Sequence, residues 1–340
     1  MSADFDQARL ERWLTTKIPD FSELLAFEKF PGGQSNPTYR LTTPGASYVL
    51  RRKPFGPLLP SAHAVDREYR LLTALHPTGF PVPRPILLCE DDDVIGAIFY
   101  VMELVDGRTL WPGPLPHETP QVRGETYRAM IETLAQLHAI DHEAIGLSDY
   151  GRGGNYFERQ IARWTKQYRA SQTDEILEIE RLIEWLPNTL PEQSGNAIIH
   201  GDYRLDNLIF APDKASVAAV IDWELATIGD PLADLAYLMM NWIMPIDGRA
   251  GLLGTDFRAS GIPTIEEGIA IYCRAAGREA VPDLTWYFAF NLFRLTAIVQ
   301  GVKRRMMDGN ASSAQAERAV AQLPALALAA WEQAKRAGTR

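Results

Sequence analysis

The segment from residue 198 to residue 236 constrains the fold of this 340-residue chain more than any other stretch. It reads IIHGDYRLDNLIFAPDKASVAAVIDWELATIGDPLADLA, in which short apolar runs alternate with polar loops. Runs this brief are too short for helices and are typical of buried strands. The run at 198–199 resumes at 208–210 and is followed by the run at 217–221, so we predict two short strands paired as a hairpin.

Three polar residues stand at the ends of these apolar runs. Asp202 follows a His-Gly pair, Asn207 comes five residues later, and Asp222 ends the last run. Acidic residues often only cap turns, but three polar groups at this spacing between strands favour a chemical role. A carboxylate can accept the proton of an attacking hydroxyl, and oxygen ligands suit Mg²⁺. The segment therefore predicts phosphoryl transfer from ATP, with one residue as base and two as metal ligands.

Composition excludes several other classes of protein. A formal net charge of -9 argues against a general nucleic-acid binder, which relies on clustered Lys and Arg. The two cysteines, Cys89 and Cys273, are far apart and outside any metal-ligand spacing, which favours a reducing compartment without disulfides. The N-terminus lacks a signal-peptide core, and no uncharged apolar run is long enough to span a membrane. We therefore expect a soluble cytoplasmic protein that binds neither nucleic acid nor membrane.

The first part of the chain is dominated by strand patterns. A short amphipathic helix is expected over 5–17, and turn-separated apolar segments over 24–55 predict a three-stranded antiparallel meander. Helical spacing of apolar residues predicts a helix over 64–76. Two further strands flank an acidic turn within 81–105. Residues 1–105 are therefore predicted to form a small lobe with a five-stranded antiparallel sheet and one helix.

The second part of the chain is mostly helical. The proline-rich stretch DGRTLWPGPLPHETP cannot continue a strand or helix, so it is expected to be a linker or an ordered loop. Helices are predicted over 125–140, 161–170 and 174–186 and through most of the C-terminal remainder. The whole is an α+β chain of two lobes, residues 1–105 and 106–340, and a cleft between lobes is a usual ligand site.

The strings HGDYRLDN and IDWE resemble the catalytic and metal-binding loops of the aminoglycoside phosphotransferase-like branch of the protein-kinase-like fold. That family carries His-Gly-Asp, an Asn five residues after the Asp, and an Asp at a strand end. The resemblance implies that Asp202 is the catalytic base and that Asn207 and Asp222 bind magnesium. It further implies ATP and Mg²⁺ as cofactors and the hydroxyl of a small molecule as the phosphate acceptor.

The same resemblance assigns roles in the string YVLRRKP. Because strand side chains alternate faces, Val49 and Arg51 share one face, as do the residue that covers adenine and the cation that meets phosphates in kinases. Lys53 shares that face and is a rival to Arg51, whereas Arg52 points away. Glu68, in the following helix, is the expected ionic partner of that cation; otherwise it is an ordinary exposed helical residue.

Other N-terminal residues are expected to contact the nucleotide. The glycine-bearing turn PGGQSN offers backbone N–H groups to phosphates, although any hairpin turn can contain Gly-Gly. The segment where the family's inter-lobe hinge runs offers backbone atoms to adenine. The residues concerned are Gly33, Ser35 and Asn36 in the turn, and Met102, Glu103 and Leu104 at the hinge.

Two acids after the expected metal ligand are predicted to be scaffold. Asp230 is placed to cap a helix that has Pro231 at its first position. Asp234 is expected to hydrogen-bond back to the catalytic loop, as the family resemblance implies. Neither residue is predicted to take part in chemistry.

A narrower resemblance covers nearly the whole chain. The strings GGQSNPTY, LLPSAHAVDREYR, GNYFERQIARWTKQY, NLFRL and GVKRRMMDGNASS are similar to the kinase-like N-terminal region of acyl-CoA dehydrogenase family members ten and eleven. This resemblance implies phosphorylation of the hydroxyl of a 4-hydroxy acid or its CoA ester. The 340 residues carry no dehydrogenase domain, so we expect the product to pass to a separate enzyme.

Cations outside the catalytic loops suggest where an anionic acceptor would bind. The alternative is that these side chains are solvated faces or helix C-terminal charges. The candidate substrate residues are Tyr156, Arg159 and Arg163 after a glycine-rich loop, Arg204 in the catalytic loop, and Arg304 near a later helix end.

Rival functions remain open at this point. The chain is alternatively an aminoglycoside phosphotransferase conferring antibiotic resistance, since its overall acidity allows a polycationic acceptor. A third reading is a catalytically silent nucleotide-binding protein, against which the presence of Asp202, Asn207 and Asp222 speaks. Protein kinase activity is disfavoured because the His-Arg-Asp and Asp-Phe-Gly strings are missing. The oligomeric state is not predicted.

Overall fold

The computed structural model describes residues 5–30, 36–56, 63–151, 154–246, 250–309 and 314–338. The chain separates into two compact units that each collect several segments. The first unit comprises Met1–Trp111, Asp141–Ser148 and Arg204–Ala226, and the second comprises Pro112–Ile140, Asp149–Tyr203 and Thr227–Arg340. Each unit therefore brings together residues that are far apart in the sequence.

The first unit contains a five-stranded antiparallel sheet with strands in the order β1-β2-β3-β5-β4. The strands are β1 Ala26–Lys29, β2 Thr38–Thr42, β3 Ser47–Arg52, β4 Pro85–Cys89 and β5 Phe99–Glu103. The first three form the predicted meander, and β5 pairs with both β3 and β4. This places the last strand of the sheet, in chain order, beside the strand that carries Arg51.

Two helices accompany this sheet, α1 Gln7–Lys17 and α2 Val65–Leu75, and both are predicted from sequence. Asp6 caps α1 by accepting the backbone N–H of Arg9. The apolar face of α1 is fully buried at Leu10 and Leu14, in one core cluster with residues of the sheet. Burial of such side chains contributes about 1.5–3 kcal/mol each, which fixes the helix on the sheet.

A second, three-stranded sheet in the first unit carries the hairpin predicted from sequence. Its strands are β6 Arg108–Thr109, β8 Leu208–Phe210 and β9 Val217–Val220, in the order β6-β8-β9. β6 lies within the proline-rich stretch, where we expected only a loop or linker. Gly107 permits this pairing, because a Cβ there would lie 2.3 Å from the carbonyl oxygen of Phe210.

The second unit is mostly helical. Its helices are α3 Pro120–Ala139, α4 Tyr156–Ser171, α5 Leu177–Asn188, α6 Pro231–Met239, α7 Phe257–Ser260, α8 Ile265–Ala276, α9 Thr285–Met307, α10 Ala314–Ala321 and α11 Leu323–Gly338. The long helix α9 is buried along much of its length and packs against α4, α6 and α11. Within the described part of the chain, no helix is both long and apolar enough to cross a membrane.

The second unit also contains a two-stranded sheet formed by β7 Ala197–Ile199 and β10 Thr227–Gly229. The strand at 198–199 is present, but its predicted continuation into the hairpin is wrong, because β7 pairs with β10. β10 was not predicted, since its three residues carry no clear strand pattern. The segment of the predicted catalytic loop therefore joins strands of two different sheets.

Candidate active site

In the first unit, Asn207 and Asp222 lie at the same end of the β8–β9 hairpin. Asn207 immediately precedes β8, Asp222 follows β9, and Leu208 faces Val220 in the register. The backbone N–H of Ile221 donates to the carbonyl of Asn207 at 3.0 Å. This hydrogen bond extends the β8–β9 pairing to the residues at the end of the hairpin, beside Asn207 and Asp222. This is the arrangement that the apolar runs predict.

Asp222 adopts a backbone conformation that is uncommon for any residue except glycine. Its φ angle is +67°, in the left-handed region. A short polar side chain tolerates this region better than most, yet strain of this kind costs about 1–3 kcal/mol and concentrates at functional sites. The surrounding contacts must therefore hold Asp222 in place, and one of them comes from a cation.

Arg51 contacts three carboxylates of the first unit, and the most distant is Glu224, at 3.7 Å from Nη2. The Nε of Arg51 lies 2.9 Å from Oε2 of Glu68, and its Nη2 lies 2.6 Å from Oδ1 of Asp222. The predicted ion pair with Glu68 is thus present. Burial alone would lower the pKa of Arg51, but the carboxylate charges, above all that of Glu68, reverse this effect and raise it. Arg51 is therefore a permanent cation in the site.

The other two cations of the YVLRRKP string lie elsewhere. Lys53 pairs with Asp66 at 3.3 Å. Arg52 is buried on the opposite face, where its guanidinium lies 3.8 Å from the centroid of the Phe55 ring. Alternation of side chains along the strand explains why Arg52 points away. Arg51 is the cation of this string that contacts Asp222.

Glu68 sits in a buried polar network rather than on an exposed helix face. It is 2% exposed and accepts hydrogen bonds from Asn36 Nδ2 at 2.9 Å and from the Tyr100 hydroxyl at 3.1 Å. Burial raises the pKa of Glu68, and the charge of Arg51 opposes that rise. These contacts hold Glu68 against Arg51, which in turn fixes the position of the Arg51 guanidinium.

The residues predicted to contact the nucleotide are only partly described. Gly33 and Ser35 lie outside the described residues. Val49 and Met102 face each other in the register of β3 and β5, and both are buried. Glu103 accepts the backbone N–H of Arg84 at 2.9 Å, and the N–H of Leu104 donates to the carbonyl of Ser47 at 3.4 Å. Their predicted contacts with adenine stay predictions.

In the second unit, Asp234 holds the loop that contains Asp202. Its carboxylate accepts the backbone N–H groups of His200 at 2.6 Å and of Gly201 at 2.9 Å, as expected from the sequence. Asp234 lies in the first turn of α6, whose N-cap is Asp230 with Pro231 following, also as predicted. The loop backbone is therefore tied to the start of α6 by two hydrogen bonds.

The charge of Asp234 is stabilised although the residue is buried. Burial alone would raise the pKa of Asp234, but its interactions with the nearby His138 and with the charge and backbone N–H of His200 outweigh that effect, so that the pKa is lowered from 3.8. The Nε2 atom of His138 lies 3.7 Å from the carboxylate. The anchor of the loop is thus a buried carboxylate that stays ionised at neutral pH.

Asp202 itself is held at both backbone and side chain. Its backbone N–H donates to Nδ1 of His200 at 3.1 Å, and its Oδ1 accepts the hydroxyl of Tyr237 at 2.6 Å. His200 is fully buried, so its ring packs inside the loop. Tyr237 was not predicted, because 35 residues separate it from Asp202 in the sequence.

In the second unit one arginine, Arg294, contacts this loop, and a second, Arg163, lies by the same Trp164 ring as Arg294. Arg294 of α9 is 5% exposed and donates to the carbonyl of Gly201, and its guanidinium lies 5.5 Å from the Trp164 ring and 5.3 Å from the Tyr237 ring. Arg163 lies 5.1 Å from the Trp164 ring, and burial followed by the charge of Arg294 lowers its pKa. Over the described ranges, neither arginine forms an ion pair with a carboxylate.

The remaining predicted substrate residues of the second unit differ in placement. Tyr156 is 3% exposed and packs against Gly229, where a Cβ would lie 2.2 Å from its ring. Arg159 donates to the carbonyl of Gly154 at 2.6 Å, so it closes the loop before α4. These contacts describe packing and loop structure, and a role in substrate binding stays a prediction for both residues.

The last two candidate substrate residues pair locally. Arg204, in the first unit, lies 3.1 Å from Asp206. Arg304, near the end of α9, lies 3.2 Å from Asp308. A role in substrate binding stays a prediction for both residues.

Arg294 was not among the predicted site residues, although the sequence carries a signal for it. Arg294 is the single charged residue in the apolar stretch WYFAFNLFRLTAIVQ, and a lone cation in a buried helix marks a constrained position. The family resemblance uses the string NLFRL without assigning this arginine a role.

Comparison with known proteins agrees with the geometry. The phosphotransferase enzyme family matches residues 26–272. The chain is 44% identical over 340 residues to acyl-CoA dehydrogenase family member 10 of Mus musculus, covering 98% of the chain but 32% of that protein. It therefore spans about a third of that relative's length.

Solved structures share the fold. A protein of Ralstonia eutropha JMP134, provisionally described as an aminoglycoside phosphotransferase, has a TM-score of 0.88 at 44% identity, covering 98% of this chain and 99% of that one. A thermostable mutant of aminoglycoside phosphotransferase APH(4)-Ia, solved with AMP-PNP and hygromycin B, has a TM-score of 0.61 at 17% identity, covering 95% and 98%. The predicted resemblance and the α+β, protein-kinase-like fold are thereby confirmed.

Proposed function

We propose that this chain, which belongs to the phosphotransferase enzyme family, transfers a phosphoryl group from ATP to the hydroxyl of a small anionic molecule. A hydroxy acid or a hydroxyacyl-CoA is the acceptor class that we favour. One observation carries the choice of an anion: Arg294 contacts the loop of Asp202, Arg163 lies by the same Trp164 ring as Arg294, and within the described residues no carboxylate pairs with either arginine. Two such cations favour an anionic ligand.

Asp202 is the proposed base. Its carboxylate orients the acceptor hydroxyl and takes up the hydroxyl proton as the oxygen attacks the γ-phosphorus. The bond between that phosphorus and the bridging oxygen breaks, and ADP leaves with the electron pair. In phosphoryl transfer the protein contributes mainly position and electrostatics. The hydrogen bonds of Asp234 to the loop backbone support this role, because they fix the chain on which Asp202 is carried.

Asn207 and Asp222 are the proposed ligands of Mg²⁺. Among the described residues, no three side chains of His, Cys, Asp or Glu cluster as a metal site, so a complete protein cage is not formed there. Mg²⁺ commonly uses one or two protein oxygens and takes the rest from phosphates and water, which suits an Asn-Asp pair at one hairpin end. When bound, the metal would neutralise charge on the transferred phosphoryl group.

Arg51 is the proposed phosphate cation of the first unit. Its contacts with Glu68 and Asp222 support this role, because they hold a permanent positive charge beside the proposed metal ligand. A nucleotide is a natural ligand for the fold, since the related APH(4)-Ia is solved with AMP-PNP. Residues of the PGGQSN string and of the β5 end are proposed to complete the nucleotide contacts.

The acceptor class separates this proposal from antibiotic resistance. A polycationic aminoglycoside would meet like charges at Arg163 and Arg294, and it would gain little from a site that presents cations. The similarity to acyl-CoA dehydrogenase family member 10 supports an acyl-type acceptor, since that relative is named for acyl-CoA chemistry.

The decisive experiment assays the purified chain with MgATP against 4-hydroxy acids, their CoA esters and aminoglycosides. ADP release gives the rate, and mass spectrometry of the acceptor identifies the phosphate ester. We expect turnover with at least one hydroxy acid or ester and none with aminoglycosides. Asp202→Ala should reduce kcat by at least about 1,000-fold, because the proton acceptor is lost. Asp213→Ala, an exposed acid of the same segment, should leave kcat unchanged.

Three outcomes would contradict the proposal in different ways. Turnover with aminoglycosides alone would assign the rival function. Binding of MgATP without phosphoryl transfer to any compound or to water would favour a silent nucleotide-binding protein. Full activity of Asp202→Ala would remove Asp202 from the chemistry.

A further inference from the structure

Helix α6 contacts the loop of Asp202 through two side chains of one face. Asp234 accepts the N–H groups of His200 and Gly201, and Tyr237 donates its hydroxyl to Oδ1 of Asp202 at 2.6 Å. Residues three apart in a helix lie on the same face, so Asp234 and Tyr237 both point towards the loop. One side chain therefore holds the loop backbone, while the other holds the carboxylate that the backbone carries.

The Tyr237 ring is itself fixed by Arg294. The guanidinium of Arg294 lies 5.3 Å from the Tyr237 ring and 5.5 Å from the Trp164 ring, and it donates to the carbonyl of Gly201. Arg294 is nearly fully buried, which strengthens such cation–ring contacts. Gly201, which precedes Asp202, and Tyr237, which donates to Asp202, thus contact the same guanidinium.

From these contacts we infer that Tyr237 is a positioning residue that fixes the carboxylate of Asp202 for proton transfer; the inference rests on the proposed role of Asp202 as base. Rotation about the terminal bond of an Asp side chain is broad and has no sharp preferred angle. A short hydrogen bond from a ring that is held in place selects one orientation. Hydrogen bonds to an ionised acceptor are also the stronger kind, so the selection is effective.

Loss of the Tyr237 hydroxyl should be visible in the kinetics. It would leave Asp202 present but without this hydrogen bond, and misplacement by about 1 Å of a catalytic group costs on the order of 100-fold in rate. We therefore expect Tyr237→Phe to lower kcat by about 10- to 100-fold. The KM for ATP should change less than about twofold, since the proposed phosphate and metal residues are unaltered.

The experiment compares Tyr237→Phe, Asp202→Ala and the double variant, measuring ADP release with saturating MgATP. The acceptor is the most active hydroxy acid or CoA ester of the panel, or water where only hydrolysis is observed. If Tyr237 acts through Asp202, Tyr237→Phe should cause no further loss once Asp202 is alanine, which is the signature of coupled residues in a double-mutant cycle. A merely structural tyrosine would lower both backgrounds equally.

Tyr127→Phe is the matched control. Tyr127 is a buried tyrosine of the same unit that donates its hydroxyl to the carbonyl of Gly113 at 2.7 Å. Its variant should lose comparable stability, measured by thermal melting, and keep kcat. Tyr237→Ala, which also removes the ring from Arg294, should reduce kcat at least as far as Tyr237→Phe.

The possible results separate the two proposals. A kcat of Tyr237→Phe within twofold of the parent, with Asp202→Ala inactive, would overturn the positioning role and leave the proposed function intact. An equal loss on both Asp202 backgrounds would also overturn it. Unchanged activity of Asp202→Ala would instead overturn the proposed function.

Discussion

The guanidinium of Arg51 lies 2.6 Å from the carboxylate of Asp222, a residue held at a φ of +67°. The same carboxylate is the proposed magnesium ligand, so one carboxylate group would contact both a fixed cation and the metal. The ion pair with Arg51 offsets part of the strain of this backbone conformation, because it holds the Asp222 side chain in place. Charged groups thus hold the proposed machinery in place, and their removal should have measurable consequences.

Substitution of the cations in the YVLRRKP string should show which of them meets the phosphates. Arg51→Lys keeps a charge but loses the planar fork that reaches both Glu68 and Asp222, so kcat/KM for ATP should fall by about 10- to 100-fold. Lys53→Ala removes only a partly exposed pair with Asp66, worth about 0–1 kcal/mol, and should change kcat/KM little. ATP titrations at fixed Mg²⁺ measure both. A larger loss in Lys53→Ala would reverse the assignment.

Removal of Glu68 should test the buried network that holds Arg51. Glu68→Ala leaves the Arg51 charge with less compensation and should lower the free energy of unfolding by about 3–5 kcal/mol. Glu68→Gln keeps an acceptor for Tyr100 and Asn36 and should cost clearly less. Urea denaturation followed by tryptophan fluorescence compares the midpoints. Equal midpoints for the two variants would show that the retained hydrogen bonds add nothing to stability.

Asp234 should give the protein a measurable acid sensitivity. Its pKa is lowered from 3.8 in the folded state, so the unfolded chain binds the proton at a higher pH than the folded chain does. The resulting stability is fully present above the unfolded-state pKa and is lost as pH falls through the lower folded-state pKa. Asp234→Asn should therefore be less stable than the parent at pH 7, by about 2–4 kcal/mol, and the difference should shrink below about pH 4.

Urea titrations at several pH values between about 2.5 and 7, the range over which this proton linkage acts, measure the difference in unfolding free energy between the two proteins. Asp213→Asn, at an exposed loop position, is the control and should show no such change. A difference that stays constant with pH would mean that the shape of the Asp234 side chain, rather than its charge, stabilises the fold.

The elements that the sequence predicted well are those with a local signature. Apolar periodicity identified α2 and the β1–β3 meander, and the spacing of Asp202, Asn207 and Asp222 between apolar runs identified the fold family. Asp230 before Pro231 carried the chemical pattern of a helix start, and Asp234 was expected to contact the loop. In each case the determining contacts lie within a few residues or follow a family motif.

The elements that the sequence did not predict depend on distant partners. β6 is two residues long and exists because β8 lies beside it, although Arg108 and Phe210 are far apart along the chain. The hydroxyl of Tyr237 donates to Asp202, which lies 35 residues away in the sequence, and Arg294 donates to Gly201, which lies 93 residues away. No periodicity or turn chemistry encodes such contacts, so they follow only from the packed structure.

Tyr156 offers a test of whether a predicted substrate residue is instead part of the packing. Gly229→Ala would place a Cβ 2.2 Å from the Tyr156 ring, so the ring must move. Overpacking of this kind costs about 1–3 kcal/mol. Gly301→Ala, on α9 with its nearest neighbours at 3.8 Å, should be neutral or stabilising by up to about 1 kcal/mol. Thermal melting of both variants checks this, and a stable Gly229→Ala variant would show that Tyr156 is free to move.

Arg163 should contribute to acceptor binding through its charge. Arg163→Gln keeps much of the side-chain length and removes the charge, so the KM for an anionic acceptor should rise by about 5- to 30-fold, corresponding to a charge-assisted contact of about 1–2 kcal/mol. The effect should weaken in added salt, because partly exposed charges are screened. Arg169→Gln on the same helix removes an arginine that already pairs with Glu180 at 2.5 Å, and it should leave the KM unchanged. Initial rates against acceptor concentration at low and high salt measure both variants. An equal rise in KM for the two variants would assign the effect to the net charge of the protein, and no rise in Arg163→Gln would remove this arginine from the acceptor site.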